Sequence, residues 1–160
     1  MDVRITARGL ERKIADLEAM ARRLSDLTPV TRVFAEELKT AVDRSFERSV
    51  SPTGEGFAPL LPATLARKAR LGRSPKPLIG RGTLRNSVFA RGETTTIRYG
   101  IGPTAQYGGY HQFGTPTLKP RPFLPVGRAG DFQARGPMQR FLARFKAAVT
   151  RYVKTGAVRG

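Results

Sequence analysis

Apolar residues recur along this chain at two spacings, and the switches between them divide it into elements. Val3, Ile5 and Ala7 alternate with Arg4, Thr6 and Arg8, the period of a short strand with one buried face. From Leu10 the spacing lengthens to Leu10, Ile14, Leu17, Ala21 and Leu24, a heptad stripe that predicts an amphipathic helix. The stripe lasts about two heptads, short of the three or four that support a coiled coil, so packing on the domain's own sheet is expected in preference to a subunit seam. Thr28-Pro29 then reads as a cap with proline in the first turn of a second helix, whose apolar face is Val30, Val33, Phe34, Leu38, Ala41, Val42 and Phe46.

Residues 51–60 are dense in turn formers yet carry Phe57 and Leu60, which predicts an ordered loop. A short helix is expected from Pro62 through Leu65 and Ala69, stopped at Gly72 and displaying Arg67, Lys68 and Arg70. The link over residues 74–82 lacks the Gly-Lys-Ser/Thr ending of a phosphate loop and reads as a turn. Leu84–Arg91 and Thr94–Ile101 read as two strands of a hairpin turning at Gly92-Glu93, with Ile97, Tyr99 and Ile101 on one face. A Pro/Gly-rich arm follows over about 103–137, with an edge strand expected at Phe123-Leu124-Pro125-Val126. Met138, Phe141, Leu142, Phe145, Ala148, Val149 and Tyr152 then form one face of a final helix, with Arg140, Arg144, Lys146, Arg151 and Lys154 outward. The fold class expected is α+β: a small antiparallel sheet with a β-hairpin, packed by N-terminal and C-terminal amphipathic helices, in a single domain over 1–154 with a flexible tail at 155–160.

Charge changes the picture because it is unevenly placed. Residues 1–47 hold nine acids and nine bases, so the whole net charge of +17 belongs to residues 48–160, where Glu55, Glu93 and Asp131 are the only carboxylates. Such a field attracts polyanions, and nonspecific contact with double-stranded DNA is plausible. Arg67, Lys68 and Arg70, with Arg140, Arg144, Lys146 and Arg151, are the candidates for contact with DNA or with an acidic partner. The chain has no cysteine, which removes disulfides and thiolate metal sites. Its start lacks the apolar core of a signal peptide and its apolar runs are too short to span a membrane, so a soluble intracellular protein is expected.

Residues 107–124 gather four aromatics, several glycines and prolines and the single histidine into one stretch, read as a shaped loop with apolar anchors. Catalysis is poorly supplied. His111 has no acidic or nucleophilic neighbour along the chain, and a lone histidine between Tyr110 and Phe113 is more often a packing residue than a base. A small nuclease would need His111 as base, with Lys119 and Arg121 steadying a phosphate. No cofactor or metal is expected.

The order of motifs resembles that of the bacteriophage virion-morphogenesis or tail-completion family over about residues 34–126. The matching pieces are Phe46 with Ser51-Pro52-x-Gly54-x-x-Phe57-x-Pro59-Leu60, Thr64 with Lys68, Leu78-Ile79, and Gly82-x-Leu84-x-x-Ser87. Ile101-Gly102, Tyr107, Tyr110-His111-Gln112-Phe113-Gly114 and Pro120-Arg121-Pro122-Phe123-Leu124 complete them. Phe57 stands where tryptophan is expected, and Arg81 where threonine is. The resemblance implies a non-enzymatic virion protein of the neck that completes the tail and joins it to the head. Its partners would be itself, as a ring of six copies, head-tail connector proteins and tail tube or tail terminator proteins, met in the host cytoplasm during assembly. Tyr107, Tyr110, His111, Gln112, Phe113, Pro120, Arg121, Pro122, Phe123 and Leu124 are the candidate subunit or partner interface. The alternative is a free-standing basic nucleic-acid-binding protein, which accounts for the charge and leaves the motif series unexplained.

Overall fold

A computed structural model describes residues 9–158, so the strand expected over residues 3–7 lies outside the described residues. The first helix, α1, spans Leu10–Ser25. Its apolar stripe does not pack on the sheet: Leu10, Ile14, Leu17 and Leu24 are between 46% and 65% exposed, and no residue of α1 is buried. This corrects the sequence expectation. The helix meets the body on another side, where Arg23 Nη1 donates to the carbonyls of Val153 and Lys154. Asp26 Oδ1 then accepts the Thr28 N–H at 2.9 Å, and the chain turns into α2, Thr28–Arg48, with proline in its first turn as expected.

α2 is the spine. It stops where Ser49 enters the left-handed region (φ 55°) and donates its N–H to Ser45 O. α3, Pro62–Arg70, also forms as predicted and is followed by Gly72 at φ 59°. The segment expected to begin a strand at Leu84 instead makes one helical turn, α4, Thr83–Ser87. Gly82 (φ 85°) reverses the chain before it, and Ser87 Oγ closes it by donating to Leu84 O at 2.7 Å.

The two strands, β1 (Val88–Gly92) and β2 (Ile97–Ile101), pair antiparallel from Val88↔Ile101 to Gly92↔Ile97. The turn therefore lies beyond Gly92, with Glu93 N–H donating to Thr96 O at 2.8 Å. Gly92 serves packing: a Cβ there would fall onto the backbone of Thr31 and Arg32 in α2. The turn docks on the same helix, since Thr31 Oγ1 donates to Glu93 O at 2.6 Å and Leu27 N–H to Thr94 O at 2.7 Å.

After a 3-10 turn at Pro103–Ala105 the chain forms α5, Gly108–Phe113, inside the stretch read from sequence as irregular loop. The edge strand expected at residues 123–126 reduces to one bridge, Val126↔Phe132. α6, Pro137–Thr155, closes the fold with the apolar face predicted. Two apolar clusters result, and α2 contributes to both. Val42 and Phe46 join Phe57, Leu84, Val88, Ala105, Phe123 and Leu124, while Val30, Phe34 and Leu38 join Met138, Phe141 and Ala148. Phe34 meets Phe141 and Phe145 edge-on at 5.5 and 5.2 Å, and Phe46 lies 5.4 Å from Phe123. Each such ring contributes about 2–3 kcal/mol through burial.

Candidate functional site

The candidate surface is built on α5, which the Gly108 contact seats directly on the core. A Cβ at Gly108 would lie 2.7 Å from Ile101 Cδ1 and 2.9 Å from Leu84 Cδ1, so the glycine lets the helix approach. One turn later Gln112 points inward and takes over the hydrogen bonds of a strand partner. Its Oε1 accepts the N–H groups of Phe123 and Leu124, both at 3.0 Å, and its Nε2 donates to Leu124 O at 2.9 Å and Val126 O at 3.1 Å. All four of these hydrogen bonds are spent on backbone, which fixes residues 123–126 against α5.

Arg121 acts in the same way on another segment. Its Nε donates to Ala58 O at 2.6 Å and its Nη2 to Pro59 O at 2.9 Å, while its own N–H reaches His111 O at 2.7 Å. Burial pulls the guanidinium below its ordinary value, and the carbonyls keep it solvated. The arm therefore holds the 51–60 loop to α5. His111 is half-buried, 6.0 Å edge-on from Tyr107, with Nδ1 enclosed and unbonded. Burial and then the Arg121 charge push its imidazole below the usual range, which keeps it neutral.

Of the ten residues named from sequence for an interface, Gln112, Arg121, Phe123 and Leu124 are thus buried within this chain and hold the surface from beneath. Tyr107 and Tyr110 are 43% and 64% exposed, Pro120 is exposed, and His111, Phe113 and Pro122 are partly covered. Arg128, not singled out from sequence, stacks its guanidinium 5.4 Å above the Phe113 ring and donates to Phe113 O at 2.7 Å. Between α5 and the hairpin runs a groove of about 540 Å³, floored by Phe89, Tyr99, Ile101 and Val126 and flanked by Arg98 and Arg128.

The basic candidates are not brought to one place. Arg67 and Arg70 are exposed on α3, and Arg140, Lys146 and Arg151 on α6. Arg144 is exposed but paired with Glu37 at 2.8 Å. Lys68 is buried: its Nζ donates to the carbonyls of Lys76 and Ile79, both at 2.7 Å, pinning the 74–82 link. That is a structural role, because an ammonium with its donors turned inward is not presented to a phosphate. Among the described residues no group of three or more His, Asp or Glu side chains forms a metal site, and no helix is long and apolar enough to cross a membrane.

Comparison with known proteins agrees with the motif order. Mu-like prophage FluMu G protein 1 of Haemophilus influenzae is 28% identical over 124 residues, which cover 76% of this chain and 83% of that protein. No solved structure matches. The phage virion morphogenesis family model matches residues 8–145, with Gln112, Arg121 and the α5 surface inside the match, and the chain belongs to that family.

Proposed function

We propose that this protein is a structural, non-catalytic component of the phage neck, which completes the tail and joins it to the head connector as a ring. The observation that carries the reading is the way the arm is spent. Gln112 and Arg121 use buried polar side chains to rigidify the segment from Tyr107 to Val126, leaving Tyr107, Tyr110 and Pro120 on its outside. A preordered aromatic surface loses little entropy on docking, which suits repeated contact between copies. A closed ring needs two different complementary surfaces on each copy, and the ring proposed has six copies. The net charge of +17 suits a ring through which DNA passes, its bases lowering repulsion along the channel.

The test is electron microscopy of particles made by the parent phage lacking this gene, with a plasmid copy as control. Filled heads beside separate or overlong tails, rescued by the plasmid, are expected. Normally joined virions would overturn the neck assignment. DNA contact is tested apart from it: binding whose logarithm falls steeply with log salt, whatever the sequence, supports phosphate contact, and no binding at low salt removes it.

A further inference from the structure

Four of the nine large apolar side chains left exposed among the described residues, Leu10, Ile14, Leu17 and Leu24, lie on α1. At 3.6 residues per turn they form one line with Ala21. That line faces away from Ala19 and Arg23, which are partly covered where α1 meets the end of α6. Among the described residues, the body of the chain therefore leaves the whole stripe uncovered.

We infer that a second copy of this chain covers it, the two α1 helices pairing in parallel and in register. The sequence of the stripe selects both the number and the direction of the strands. Leu10, Leu17 and Leu24 fall at one seam position of the heptad, and Ile14 and Ala21 at the other. Leucine at the first with β-branched isoleucine at the second favours two parallel strands. The flanks agree. In a parallel pair Lys13 of each copy faces Glu18 of the second copy, giving two attractive contacts related by the twofold axis. An antiparallel pair would set the acidic flank, Glu11 and Glu18, against itself. Among the described residues Glu18 pairs only with Arg22, at 3.9 Å with both side chains more than 60% exposed, a contact too weak to compete.

The seam is about 24 Å long, so the pair alone is weak and gains strength when other contacts already hold the copies together. A twofold contact joins two copies and does not itself close a ring, so the α1 pair goes beyond the ring reading and adds to the ring's own contacts. It stands or falls separately from that reading, since association is measured on the purified chain and the neck role on particles.

Sedimentation of the full chain is expected to show a mass that rises with concentration above one copy. Leu17→Glu is expected to abolish the α1 contribution while leaving the circular dichroism and melting temperature in place, because α1 buries no side chain. Lys13→Glu and Glu18→Lys should each weaken association about tenfold, and the double variant K13E/E18K should restore it. The chain has no cysteine, so Leu10→Cys adds a single thiol. A parallel in-register pair oxidises to a covalent dimer at that position, whereas an antiparallel pair sets residue 10 against residue 24. A wild-type monomer at every concentration, association unchanged by Leu17→Glu, single charge reversals without effect, or failure of Leu10→Cys to cross-link would each overturn the pairing.

Discussion

Gln112 and Leu124 hydrogen-bond each other twice, in opposite directions: the side-chain Oε1 accepts the Leu124 N–H at 3.0 Å and Nε2 donates to Leu124 O at 2.9 Å. One side chain thereby replaces a residue of a neighbouring strand. Gln112→Ala would leave the buried N–H groups of Phe123 and Leu124 without partners and is expected to cost about 2–4 kcal/mol in urea unfolding. Gln112→Glu keeps the acceptors but turns a carboxylate oxygen toward two carbonyls, and should cost more at pH 7 than at pH 4.

The contact between Gly92 and α2 predicts a sharp contrast between two glycine substitutions. Gly92→Ala drives a methyl group into the backbone of Arg32, which cannot yield without shifting the helix. A loss of about 3 kcal/mol or more is expected. Gly108→Ala meets the tips of Ile101 and Leu84, which can rotate, and should lose about 1–2 kcal/mol in the same measurement.

Lys68→Met keeps the length of the side chain and removes both donors to Lys76 O and Ile79 O. The core does not depend on those bonds, so the expected effect is local. The melting temperature should fall by a few degrees, about 1 kcal/mol, while trypsin cleavage at Arg73, Lys76 and Arg81 accelerates. Unchanged cleavage would show that the link is held by Leu78 and Ile79 packing alone.

His111 is the only histidine, which isolates its titration. Its folded pKa lies below the unfolded value of 6.5, because burial and then Arg121 disfavour the cation. Below pH 6.5 the unfolded chain takes up a proton that the folded chain refuses. Stability is therefore full above that pH and falls as the pH drops through 6.5 toward the lower folded value. Urea midpoints between pH 7.5 and 5 should follow this slope, and His111→Asn should flatten it.

How much of this was legible in the sequence depended on whether the deciding contact is local. α2, α3 and α6 were visible because the apolar period, a proline in the first turn and, for α3 and α6, a glycine just past the end are all local signals. The hairpin turn was misplaced because Gly92 looks like a turn residue, whereas its reason is the backbone of α2, some sixty positions earlier. α5 was hidden by Gly108-Gly109, which weaken a helix on their own, and of the two Gly108 is explained by its close approach to Ile101 and Leu84. Among the candidate interface residues, sequence supplied the right stretch but not its two sides. Nothing local distinguishes Gln112, which faces the core, from Tyr110, which faces out. The α1 stripe was read correctly as a pattern and wrongly as core, since periodicity says that a face is apolar and not what lies opposite it.

The sharing of α2 between two apolar clusters has a consequence for the order in which a newly made chain can fold. Every buried member of the cluster around Phe46 and Phe123 has left the ribosome once Leu124 has emerged, so that half can close while synthesis continues. The other half of the same helix, carrying Val30, Phe34 and Leu38, must wait for Met138, Phe141 and Ala148, although it was made first. Nascent chains stalled with residues 1–130 exposed should protect Phe46 and leave Phe34 accessible to labelling. The apolar face of the first-made turns of α2 is thus among the last surfaces to be covered, although the hairpin turn already holds their backbone.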